Sequence, residues 1–182
     1  MNVDKLNEIK AIVLYILKSF PNGIDSIKLN ELMYLSYKKH LVLYARGICD
    51  EVFVINSNGH IPQFTQDVLN IDGIIKKLVN NRIIISSELE PDMDELSVSD
   101  IKVLDEIINL HGSKCIREIN KLCRFDVAYF YKWTLKSHFS NGIVLSDIDI
   151  AKAGGASQWV IEYITAIMMV KKSLGLTLRI NF

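Results

Sequence analysis

Apolar side chains recur at helical spacing over most of this chain. Between Lys28 and Ala45, Leu29, Leu32, Met33, Ser36 and Tyr37 follow the i, i+3, i+4, i+7, i+8 pattern, and His40, Leu41 and Tyr44 continue the row. Lys28, Glu31, Lys38 and Lys39 lie mostly off it. The spacing predicts one long helix, capped by Asp25 or Ser26 and stopped by Gly47 in the left-handed conformation. Its broad apolar stripe carries three tyrosine hydroxyls and an imidazole. Such a stripe can be a core face with polar tips, or a face that meets a partner. Upstream, Leu6, Ile9, Ile12, Val13, Ile16 and Leu17 predict a helix over 3–19, ended by Phe20-Pro21-Asn22-Gly23.

After Gly47 the period changes. Asp50 to Ile55 is β-branched and aromatic and reads as a strand. Asn58-Gly59 is a hairpin turn signal, and Pro62 keeps the returning arm short. Val68, Leu69, Ile71, Ile74, Ile75 and Leu78 predict a further helix over 64–80, weakened at Asp72-Gly73. Arg82 to Ser86 reads either as a short strand pairing with the hairpin or as a connector. The acidic segment 88–95 reads as a solvated loop. Ser97 with Asp100 forms a capping-box pattern that opens a helix running to His111, and Ser113 can cap a shorter one after Gly112. Residues 125–139 alternate aromatic rings with Lys132 and Lys136, and 159–173 reads as a final buried helix. The whole predicts a mainly α (α+β) fold over 1–182 as a single domain. About seven helices would surround the long central one, with a small β-hairpin or three-stranded sheet.

Charge narrows the function classes. Lys+Arg and Asp+Glu are 21 each, so the formal charge is zero, which argues against a general nucleic-acid binder. Lys28 and Asn30 are followed by Glu31, a poor start for a recognition helix. Cys49, Cys115 and Cys123 form no CxxC pair, which fits a reducing, cytoplasmic setting. The N-terminus lacks the basic-then-apolar pattern of a leader, and the apolar run 159–170 is too short to span a membrane.

Reaction chemistry is sparse. His40, His60, His111 and His138 show no HExxH or His–Cys spacing, and Cys115 and Cys123 have no histidine pair beside them, so no zinc site is expected. Gly154-Gly155 lacks the strand–GxGxxG–helix context of a phosphate cradle. The expectation is a protein that is not an enzyme and needs neither cofactor nor metal.

Two blocks carry a family resemblance. KLNELMYLSYKKHLVLYARGICDE, an apolar strand and NGHIPQ (28–63), followed by LSVSDIKVLDEIINLHGSKCIREINKLCRFD (96–126), resemble the Panacea domain, also called DUF4065 or SocA-like. Lys28, Leu29, Leu32, Tyr34, His40, Leu41, Gly47 or its neighbour, Asp50 or Glu51, Gly59 and Pro62 match in order. The family's Tyr-Gly-Pro-Val turn is replaced by Asn58-Gly59-His60-Ile61, and its later histidine by Cys123-Arg124. The resemblance implies an antitoxin of a bacterial, phage or prophage toxin–antitoxin pair that binds and neutralises a cognate toxin. In one branch it implies a proteolytic adaptor delivering that toxin to a AAA+ protease. The partner contacts expected on this reading are Tyr34, Tyr37, His40 and Tyr44 on the helix and Asn58, Gly59 and His60 at the hairpin tip. A homo-oligomer is left open. The alternative is a DNA-binding transcriptional regulator or phage accessory protein.

Overall fold

The computed structural model describes residues 3–56, 59–80, 82–134 and 142–175. Among them are eight helices and two three-stranded antiparallel sheets. The chain begins with α1 (Val3–Lys18), β1 (Ile24–Asp25) and α2 (Ser26–Tyr44). The hairpin β2 (Phe53–Asn56) and β3 (Gly59–Pro62) follows, then α3 (Gln63–Val68), β4 (Ile74–Val79) and β5 (Arg82–Ser87). The rest is α4 (Val98–His111), α5 (Ile116–Arg124), α6 (Val127–Thr134), β6 (Ile143–Val144), α7 (Asp147–Ala153) and α8 (Gln158–Ser173). No helix among the described residues is long and apolar enough to cross a membrane.

Helix α2 is the axis. It touches α4, α5, α7, α8, β1, β3 and β5. Asp25 caps it by accepting from Ile27 N at 2.9 Å. Because neighbours surround it, polar Glu31, Ser36 and His40 are buried along with Leu29, Leu32, Met33 and Leu41. It ends earlier than expected: Ala45, at φ 56°, takes the left-handed position and donates to Leu41 O. Gly47 serves a different purpose, since a Cβ there would lie 2.5 Å from the Tyr37 ring.

Three further expectations are corrected. The helix over 64–80 stops at Val68; Gly73 turns the chain at φ +89°, and 74–79 becomes β4. The run IIKKLV has a matching β-branched partner in RIIISS, and the in-register pairs from Ile74↔Ser87 to Val79↔Arg82 win over the helical period. Strand β5 also pairs with β1, not with the hairpin, giving the order β1-β5-β4. The hairpin instead takes β6, in the order β3-β2-β6. The final helix is not buried: only Val160 and Ile164 of α8 enter the core. The capping box of Ser97 with Asp100 forms as expected; two more, Cys115 with Glu118 and Ser146 with Asp149, open α5, two residues after Ser113, and α7.

Candidate functional site

Three elements distant in sequence meet beside α2. Glu31 points from α2 to the hairpin, where its Oε1 accepts from His60 N at 3.3 Å and its Oε2 from His60 Nδ1 at 2.8 Å. Cys123, in the last turn of α5, donates its thiol to the same carboxylate, and burial followed by the Glu31 charge pushes that thiol's pKa well up. All three residues are buried. The hairpin approaches this closely only because residue 59 is glycine. Gly59 sits at φ +117°, and a Cβ would come 2.2 Å from Glu31 Oε1.

Aromatic rings close the cluster. Tyr34 stacks on the His60 imidazole with centroids 3.6 Å apart and an interplanar angle of 10°. Tyr129 meets that imidazole edge-on at 5.3 Å while its hydroxyl donates to Asn56 O at 2.8 Å. The Tyr34 hydroxyl donates to Asp126 Oδ2 at 3.0 Å, and Lys38 forms an ion pair with the same carboxylate. Asp126 Oδ1 accepts from Ala128 N at 2.9 Å at the start of α6. Burial and the Asp126 charge raise the Tyr34 pKa, so the phenol stays protonated and donating. The cluster therefore fastens α2 to β3, α5 and α6.

Nearer the C-terminal end of α2, His40 Nδ1 donates to Arg46 O at 2.9 Å, and its Nε2 stands 2.9 Å from Asp100 Oδ1. Burial, above all, lowers the His40 pKa. Glu51 performs a remote cap. Its two oxygens accept from Val52 N, Phe64 N, Thr65 N and Thr65 Oγ1 at 2.7–2.8 Å, where Pro62 supplies no side-chain cap to α3. An open cleft of about 440 Å³ lies between α2 and α8, with Tyr37, Asp147, Tyr163 and Lys171 among its walls. On that wall the Tyr37 hydroxyl donates to Asp147 Oδ1 at 2.7 Å.

The residues expected to contact a partner mostly lie inside. Tyr34, Tyr37, His40, Gly59 and His60 are buried, because α2 is surrounded and the hairpin folds onto it. The expectation that they form an exposed face is corrected. Tyr44 is exposed, and Asn58 lies outside the described residues. His60 and Tyr34 do meet, but through the core. Sequence reasoning missed Glu31 and Cys123, which no local spacing connects. It also missed an outer apolar surface. Phe125 (71% exposed), Val127 and Phe130 crowd the start of α6. Along α8 and its C-cap, Trp159 (66% exposed), Tyr163, Ile167, Val170 and Leu174 form a solvent-facing row, with Trp159 and Tyr163 stacked at 5.7 Å. The signal was available: Val160 and Ile164 already supply the inward row of α8, leaving the second apolar row unused. Strand β4 adds exposed Ile75, Leu78 and Val79 beside Lys76 and Lys77.

The buried cluster can hold the fold together and can supply oxygen, nitrogen and sulfur ligands. It is sealed from a diffusing substrate. The outer surface can bury apolar area against another protein. No family model, curated protein or solved structure matches the chain.

Proposed function

We propose that this chain is a protein-binding domain that captures a cognate toxin at fixed stoichiometry, in the manner of an antitoxin. The observation that carries the reading is the exposed aromatic and aliphatic surface of α6 and α8, where Phe125, Phe130, Trp159 and Tyr163 stand in solvent. Large rigid side chains of this kind supply most of the energy in protein interfaces. Rows of exposed apolar side chains on a folded domain mark such sites. The resemblance of the two sequence blocks to the Panacea domain supplies the partner class. Neutral composition fits a protein partner better than nucleic acid. Binding would cover or distort the toxin's working surface without chemistry, and delivery to a AAA+ protease would be a further step on the same complex.

The test is expression of the adjacent open reading frame alone and together with this chain. The expected result is toxicity alone, rescue on co-expression and a co-purifying complex of constant mass ratio. Phe125→Ser combined with Trp159→Ser should abolish rescue while circular dichroism stays unchanged. A harmless or non-binding neighbour would sink the reading. DNA affinity that falls steeply with salt would then favour the regulator alternative.

A further inference from the structure

Donor atoms of Glu31, His60 and Cys123 lie within 4.8 Å of one another, and none of these residues is more than 1% exposed. Carboxylate oxygen, imidazole nitrogen and cysteine sulfur form a set that zinc accepts together. One orphaned atom marks the same spot. Among the described residues, Asn120 Oδ1 is a buried atom with no hydrogen-bond partner. Asn120 lies one turn before Cys123 on α5, and a Cβ on Gly59 would be 2.2 Å from Glu31 Oε1 and 3.7 Å from Asn120 Oδ1. Buried polar atoms without partners are rare in native proteins, and an ion is one physical reason for them.

We propose that Glu31, His60 and Cys123 bind one zinc ion, with Asn120 Oδ1 as the fourth donor. Zinc bonds of about 2.0–2.1 Å at tetrahedral angles set neighbouring nitrogen and oxygen ligands about 3.3 Å apart. The present Nδ1–Oε2 separation is 2.8 Å. The ion therefore enters by opening this hydrogen bond about half an ångström and replacing its proton. Cys123 releases its thiol proton to solvent. His60 stays neutral, its proton moving from Nδ1 to Nε2. One carboxylate and one thiolate then balance the two positive charges, which suits a buried site. With its donors enclosed, the site is structural, clamping α5 to α2 and β3 two residues before Phe125. The proposal does not depend on the toxin reading.

The experiment is metal analysis of the purified chain, then cobalt(II) titration of chelator-stripped wild-type protein. The expected results are one zinc per chain, a thiolate-to-cobalt charge-transfer band saturating at one equivalent, and a Tm raised by about 5–10 °C at a hundredfold excess of zinc over Kd. Cys123→Ser should lose the band and Cys115→Ser keep it. Should Cys123→Ser fail to fold, zinc protection of Cys123 from alkylation in the wild-type chain, located by mass spectrometry at a mild denaturant concentration where Cys123 of the metal-free chain reacts measurably, decides the matter. Absence of metal with no band and no Tm change overturns the proposal, as does a band that survives in folded Cys123→Ser or an alkylation rate at Cys123 that zinc leaves unchanged.

Discussion

Around His60 and along α8 the usual distribution of side chains is reversed. The interior beside α2 holds a carboxylate, an imidazole and a thiol, each fully enclosed, while α8 turns Trp159, Tyr163, Met169 and Leu174 to water. Burying polar groups is costly unless partners satisfy them, so the bonds among Glu31, His60 and Cys123 hold the first region to one arrangement. Exposed apolar groups persist at little thermodynamic cost to the monomer, so the second is free to be shaped by what it binds. Stability and binding should therefore respond to different substitutions.

The largest effect is expected at Glu31. Glu31→Ala strands the His60 amide and ring N–H and the Cys123 thiol in an enclosed space. The expected loss is about 3–5 kcal/mol, enough to unfold a marginal domain, measured by denaturant titration. Gly59→Ala should follow at about 1–3 kcal/mol, from the strained φ of +117° and the clash with Glu31 Oε1. A Gly59→Ala protein as stable as wild type would show that the hairpin does not rest on α2 in solution.

How legible these regions were depends on how far each contact reaches along the chain. The α2 helix, its cap at Asp25 or Ser26, the Ser97–Asp100 box and a hairpin turning at Asn58-Gly59 rest on neighbours within a few residues and are readable; which residue caps α2 and where β2 starts are not. The mainly α architecture followed from them. Residues 74–79 were misread because β4 draws on a strand partner whose register the helical period of Ile71, Ile74, Ile75 and Leu78 concealed. The polar cluster was invisible because Glu31, His60 and Cys123 are joined only by the packing of α2, β3 and α5. The chemistry of Tyr34 and His60 suits a partner contact, and the structure gives it an inward role.

Acid should weaken the interior through His40 and His111. Burial lowers both pKa values, with Lys114 and Lys38 adding to the effect at His111. The unfolded chain then binds these protons more tightly than the native one, so their contribution to stability grows as pH rises from the lowered folded values toward about 6.5. Glu51 and Asp147, raised by burial, act in the opposite direction: their contribution is present at acid pH and is lost as pH rises through their raised values. The difference between wild type and His40→Gln isolates one histidine. Its slope between pH 5 and 7 should be positive and no more than about 1.4 kcal/mol per pH unit. Identical pH profiles for the two proteins would remove His40 from the account.

The smallest effect on stability is expected at the surface, and it is the most informative about function. Phe125→Ser and Trp159→Ser remove side chains that touch little in the monomer, so each should shift stability by no more than about 0.5 kcal/mol. If the apolar row is the docking face, the same changes should weaken partner binding at least tenfold, since truncating an interface anchor costs about 1–2 kcal/mol or more. Tyr34→Phe supplies the converse. It deletes the bond to Asp126, should cost about 1 kcal/mol of stability, and should leave affinity intact once the protein is folded. Affinity lost in Tyr34→Phe but kept in Trp159→Ser would mean that the interior rearranges to meet the partner and that the two regions are not separate in function. The expected pattern, stability following the polar interior and affinity following the apolar exterior, would fix the binding surface on α6 and α8.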